Sequence, residues 1–84
     1  MSKSELLSLK NVGPATLKDL ELLGIASIKE LSKQDPDLLY ESIQEITGTK
    51  HDPCVWDVFA AIIHEAKTGE KLPWFHFTKV RKTR

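Results

Sequence analysis

The sequence is poor in features that would place it in several large protein classes. It has one cysteine, Cys54, so no disulfide can form within the chain. No apolar run approaches the roughly 18 residues that a membrane-spanning helix needs. The first residues lack the apolar stretch of a signal peptide, so we expect a cytoplasmic protein. Lys plus Arg and Asp plus Glu number 12 each, and this zero net charge excludes a generic polycation.

The charges are unevenly distributed along the 84 residues. Residues 1–70 contain seven lysines against twelve acidic residues, a net charge of −5. Residues 71–84 contain five basic residues and no acid, a net charge of +5. Such a tail can remain solvated, fold back on an acidic body, or bind phosphate or an acidic partner. These basic residues are Lys71, Lys79, Arg81, Lys82 and Arg84.

Apolar residues recur at spacings of three and four between glycines and prolines, which predicts an all-α fold. We expect one compact domain of five helices. The five predicted helices are residues 4–9, residues 14–23, a short helix that Ser27 opens and that runs through Ile28 and Leu31, a segment from Asp35-Pro36 to Gly48, and a segment from Asp52-Pro53 to about Gly69.

The fifth predicted helix has the widest apolar face, so we expect it at the centre of the core. Its apolar residues are Val55, Val58, Phe59, Ile62, Ile63 and Ala66. We divide the chain into a helical domain, residues 1–70, and an aromatic then basic tail, residues 71–84. Trp74 and at least one phenylalanine of the tail are expected to pack back on the helices, while the basic groups stay solvated.

The turn between the first two helices is the most informative segment. Asn11 and Gly13 tolerate positive φ and flank Val12, whose side chain can pack between the helices. Free N–H groups at the start of the second helix would then face outward as an anion site. The candidate DNA-contacting residues are Lys10, Asn11, Val12, Gly13, Ala15, Thr16 and Lys18.

This segment resembles the helix-hairpin-helix motif, in which backbone amides of a Gly-apolar-Gly turn bind DNA phosphates. The matching positions are Leu9, Val12, Gly13, Leu17, Leu20 and Gly24-Ile25. Asn11 replaces the usual first glycine, and Ala15 stands where binding versions often carry Lys or Arg. The resemblance implies a helix-hairpin-helix, SAM-like core and weak, sequence-independent contact with the DNA backbone.

A longer resemblance covers the chain from about Leu6 to Arg81. Residues 51–54, residues 57–59 and Pro73-Trp74 are similar to the small bacterial pathogenicity-locus family, whose members carry mitomycin-resistance names. The family implies a compact helical domain with presumed DNA binding and no settled activity.

Chemically reactive groups are sparse. We expect Cys54 to pack under Trp56. The alternative is a reactive thiol, because the start of a helix lowers the pKa of a thiol. The nearby carboxylate of Asp52 opposes that effect. The metal-ligand candidates His51, Cys54, His64 and His76 lack zinc-like spacing, so we predict no metal and no cofactor. No nucleotide-binding loop or catalytic constellation stands out among the dispersed acids, so we predict a non-enzymatic protein.

The sequence is compatible with two functions. The first is a DNA-binding module that acts through the turn after the first helix. The alternative is a protein-interaction or homodimerisation module in which that turn is purely structural, which the acidic excess of residues 1–70 favours.

Overall fold

The computed structural model describes residues 2–83, with side chains from Glu5 onward. Over these residues the chain forms six α-helices and no strand, so the all-α prediction is confirmed and the count of five is wrong. The additional helix lies in the segment expected to be a tail. Arg84 falls outside the described residues. The helices are α1 (Ser2–Leu7), α2 (Pro14–Leu22), α3 (Ile28–Ser32), α4 (Pro36–Thr47), α5 (Cys54–Thr68) and α6 (Trp74–Lys82).

Helix α5 lies at the centre of the molecule, with α3, α4 and α6 packed against it. Eight of its residues are buried, more than in any other described helix, as its apolar face predicted. The ring of Phe59 is 1% exposed and joins the main apolar cluster with Ile62 and Ile63. The hydrophobic effect therefore holds the fold together mainly around α5.

Side chains cap two of the helices as the sequence predicts. The hydroxyl of Ser27 accepts a hydrogen bond from the Glu30 N–H at 3.1 Å, and a carboxylate oxygen of Asp35 accepts one from the Asp37 N–H at 2.8 Å. Helices α4 and α5 end at Gly48 and Gly69, where φ is +65° and +79°. Glycine adopts this left-handed conformation without the steric penalty of a Cβ.

One contact joins α1 to the start of α3. The carboxylate of Glu5 accepts a hydrogen bond of 2.9 Å from the Ile28 N–H, the first residue of α3. A carboxylate at a helix N-terminus satisfies a free donor and interacts favourably with the helix dipole. This bond helps to fix α1, and with it the turn that leads into α2.

Candidate functional site

The segment between α1 and α2 is a tight turn anchored in the core. Leu9 and Val12 are both buried, and the Val12 N–H donates to the Leu9 carbonyl oxygen at 3.3 Å. The expected burial of the Val12 side chain is therefore confirmed. The Val12 side chain is 8% exposed and therefore offers little surface to a ligand.

The expected positive φ in this turn is wrong. Gly13 has φ −105° and ψ −176°, and no described non-glycine residue, Asn11 included, has a positive φ. Gly13 is the N-cap of α2, and an N-cap residue takes an extended backbone that any residue can adopt. A Cβ at Gly13 would meet no atom within 4 Å.

Asn11 instead ties the turn to the beginning of α6. Its side-chain Nδ2 donates to the Leu72 carbonyl oxygen at 2.8 Å, and its Oδ1 accepts from the Trp74 N–H at 3.3 Å. Both ends of the amide are therefore engaged within the protein. The structure makes Asn11 a positioning residue for the turn rather than a free donor.

A second hydrogen bond fixes the neighbouring residue. The Lys10 N–H donates to the carboxylate of Glu65 at 3.0 Å, and Glu65 is only 6% exposed on α5. The backbone of the turn is thus attached to α5, while the Lys10 side chain remains exposed. Hydrogen bonds to charged groups are stronger than neutral ones, which makes this attachment firm.

The first turn of α2 lies at the surface without a side-chain cap. Gly13 offers no capping oxygen, in contrast to Ser27 and Asp35 at the starts of α3 and α4. The first backbone N–H groups of a helix have no partner within the helix, and they lie at its positive end. Ala15 and Lys18 are exposed here, and Gly13 and Thr16 are partly exposed.

The charge of Lys18 is partly balanced by its neighbour. Partial burial raises the pKa of Asp19, while the nearby His51 and Lys18 act in the opposite direction. The surface of α2 therefore combines Lys18 with two carboxylates, those of Asp19 and the exposed Glu21. Such a surface attracts an anion less strongly than two lysines alone would.

Helix α6 presents two different faces. Its inner face carries Phe77, whose ring lies 5.7 Å from that of His64 on α5, so the expectation that a tail phenylalanine packs back holds for Phe77. Trp74 is exposed, so the expectation that it packs back is wrong. Phe75, Lys79 and Lys82 are exposed as well. The start of this aromatic and basic surface lies at the turn, because Asn11 holds the backbone on both sides of Pro73.

Arg81 departs from the prediction that every basic group of this segment is solvated. Its Nε and Nη2 donate to the two carboxylate oxygens of Asp57 at 2.9 and 3.3 Å. Asp57 is fully buried in α5, and such a charge needs a partner. The sequence contained a signal for this buried pair, because Asp57 is an acid within the apolar run of residues 55–59.

Cys54 is exposed, so the predicted packing under Trp56 is wrong. The N–H of Cys54 donates to a carboxylate oxygen of Asp52 at 2.9 Å, which places the thiol beside a negative charge. The hydrogen bond between the Cys54 thiol and Asp52 is the largest cause that raises the pKa of this thiol. Desolvation and the charge of Asp57 raise it by smaller amounts. The carboxylate therefore opposes the activation that the start of a helix would give.

An open groove of about 350 Å³ lies beside Arg81 and is lined by Asp37, Tyr40, Pro53 and Trp56. Its polar groups bond to one another or to the backbone: the Trp56 Nε1–H donates to Asp37 at 2.7 Å, and the Tyr40 hydroxyl donates to the His51 carbonyl oxygen at 2.6 Å.

Among the described side chains, no three of His, Cys, Asp or Glu converge as metal ligands would. No helix in residues 2–83 is long and apolar enough to cross a membrane.

These features define a small all-helical protein whose first interhelical turn is tied to its last helix. The chain belongs to the pathogenicity locus family, Cdd1, whose model matches residues 2–83. It is similar to the mitomycin resistance protein McrB of Streptomyces lavendulae, with 35% identity over 79 residues that cover 94% of this chain and 75% of that protein. No solved structure matches the chain.

Proposed function

We propose that this protein binds the DNA phosphate backbone, without sequence preference, through a helix-hairpin-helix unit formed by α1, the turn and α2. The observation that carries the proposal is the uncapped, solvent-facing first turn of α2. It lies next to the exposed Lys10 and carries Lys18 one turn further on.

The binding mechanism follows from the free donors of that turn. The N–H groups of Ala15 and Thr16 point toward the N-terminal end of α2, where the helix dipole favours an anion. A phosphate oxygen would accept from these donors, and the Lys10 and Lys18 side chains would add attraction. None of these groups reads a base edge, so binding is independent of sequence.

The hydrogen bonds of residues 10 and 11 support the proposal by holding the donors in place. Asn11 bonds to two backbone groups near Pro73, and the Lys10 N–H bonds to buried Glu65. A preorganised turn loses less conformational entropy when it binds. With few phosphate contacts and Asp19 beside Lys18, the expected Kd is about 10⁻⁴ to 10⁻⁶ M near physiological salt.

Fluorescence anisotropy with labelled duplex, single-stranded and branched DNA over a range of salt concentrations tests this proposal. Lys18→Glu should weaken binding to unrelated sequences alike and reduce the slope of log affinity against log salt by roughly one unit. Lys33→Glu, at the exposed end of α3, is the matched control and should change DNA binding less than Lys18→Glu does. If the wild type binds none of the DNAs at low salt, the protein-interaction module becomes the better account.

The similarity to a mitomycin resistance protein supports a second, cellular function: mitomycin resistance. Survival of mitomycin-treated cells with and without this chain tests it. Lys18→Glu should remove any protection if DNA contact through α2 is the means. Protection that persists in this variant would separate resistance from DNA binding.

A further inference from the structure

Helix α6 begins with two exposed aromatic side chains. Phe75 is 59% exposed and Trp74 is 39% exposed, and their rings lie edge to face at 6.1 Å. Phe77, by contrast, is half-buried, and its ring lies 5.7 Å from that of His64 on α5. Trp74 lies three, four and seven residues before Phe77, Thr78 and Arg81, so it begins the face that packs on α5, whereas Phe75 lies outside that face.

Lysines lie on the same side of α6 as Phe75. Residues three, four and seven apart share one face of an α-helix, so Lys79 and Lys82 follow Phe75 along a single stripe. All three side chains are exposed, and residues 71–84 contain no acid. The stripe thus combines an aromatic ring with two positive charges over about 11 Å of helix.

The position of this stripe relative to α2 follows from Asn11. Its two hydrogen bonds hold the Leu72 carbonyl and the Trp74 N–H against the turn that precedes α2. Phe75 is the next residue along the chain. The stripe therefore begins close to the turn that precedes α2, and its lysines lie further along α6.

We propose that this stripe binds single-stranded DNA, with Phe75 stacked on an unpaired base and with Lys79 and Lys82 at the adjoining phosphates. The inference rests on the proposed function and extends it to the structure of the DNA. Exposed aromatic rings stack on bases of any identity, and flanking cations follow the backbone. In an intact duplex the base faces are occupied by stacking on one another, so the ring of Phe75 finds a partner only where bases are unpaired.

Charge complementarity favours a nucleic acid over a second copy of this chain. Two copies that met through this stripe would bring four lysine side chains together, and like charges across an interface disfavour association. A polyanion whose bases have apolar faces matches both components of the stripe.

The test compares a labelled oligo-dT strand with a labelled duplex of equal length by anisotropy. Phe75→Ala and Phe75→Leu should each weaken oligo-dT binding by about 5- to 100-fold, because leucine keeps apolar area but has no ring to stack. Phe75→Trp should retain it. Duplex affinity should be unchanged in all three variants. Leu38→Ala removes an apolar side chain that is 61% exposed on α4, and this control should bind both DNAs as the wild type does.

Four results would overturn the inference. Phe75→Leu could bind oligo-dT as the wild type does, the Phe75 variants could lose duplex and oligo-dT binding equally, or sedimentation could show a dimer that Phe75→Ala dissociates. Duplex binding without oligo-dT binding would also overturn it while leaving the proposed function of α2 intact. Absence of duplex and branched-DNA binding would instead contradict the proposed function.

Discussion

Arg81 in the last turn of α6 neutralises the buried carboxylate of Asp57 in the first turn of α5. Two hydrogen bonds join the pair, and the Thr78 hydroxyl donates a third to the same carboxylate at 2.7 Å. Thr78 and Arg81 are three residues apart, so one face of α6 supplies both partners. This interaction, together with Phe77, explains why the chain after residue 73 is a docked helix.

Removal of Arg81 should therefore destabilise the protein markedly. Arg81→Ala leaves a buried carboxylate with only Thr78 as partner, and we expect a loss of about 2–3 kcal/mol in the free energy of unfolding. Urea denaturation followed by circular dichroism measures it. Lys82→Ala, an exposed change on the same helix, is the control and should stay within about 0.5 kcal/mol of the wild type. Equal stability of the two variants would show that Asp57 does not depend on Arg81.

Asn11 offers a test of the attachment between the turn and α6. Asn11→Gly removes two hydrogen bonds and should destabilise the protein by about 1–2 kcal/mol. If the residue served mainly to supply a left-handed backbone, glycine would be tolerated or preferred. Thermal and urea unfolding of Asn11→Gly and Asn11→Ala distinguish these roles. A glycine variant as stable as the wild type would contradict the attachment.

Phe59 tests the placement of the core. Phe59→Ala removes an enclosed ring from the centre of α5 and should reduce the free energy of unfolding by about 3–5 kcal/mol. In a domain of this size such a loss is a large part of the total stability, so the variant should be partly unfolded at room temperature. Phe75→Ala is a matched control on an exposed ring. Chemical denaturation that gives similar losses for both phenylalanines would mean that the core lies elsewhere.

The Cys54 thiol should react slowly with electrophiles at neutral pH because of the neighbouring Asp52. Because Asp52 raises the pKa of Cys54, the native thiol holds less of the nucleophilic thiolate at neutral pH than an ordinary cysteine does. Asp52→Asn keeps a capping side chain but removes the charge, so alkylation by iodoacetamide should become faster at neutral pH. The two rates should converge at alkaline pH, where both thiols are ionised. A rate unchanged or slowed at neutral pH would contradict the influence of Asp52.

The helices were largely predictable because their signals are local. Ser27, Asp35 and the glycines at 48 and 69 cap or end helices through interactions with residues a few positions away. The apolar face of α5 likewise follows from spacing alone. Its central place could be inferred before any tertiary contact was known.

The missed features depend on contacts between distant parts of the chain. Asn11 bonds to backbone groups more than 60 residues away, and Arg81 bonds to a carboxylate 24 residues away. The sequence near Asn11 was equally compatible with a left-handed turn that makes no distant contact. The basic charge of residues 71–84 was equally compatible with a solvated tail. The stripe of Phe75 becomes visible only once α6 is known to be a helix with Phe77, Thr78 and Arg81 facing inward.

Gly13 allows the most direct test of the central claim, that the first turn of α2 binds DNA phosphate. Gly13→Asp places a carboxylate in open space at the N-cap, where it can accept from the same N–H groups and stabilise the fold by roughly 0.5–1 kcal/mol. Gly13→Ala leaves those donors free and serves as the control. In low-salt anisotropy with duplex DNA, the account predicts that Gly13→Asp is folded yet binds about ten-fold more weakly or worse, while Gly13→Ala binds as the wild type does. Equal DNA affinity of the wild type and a folded Gly13→Asp would contradict it.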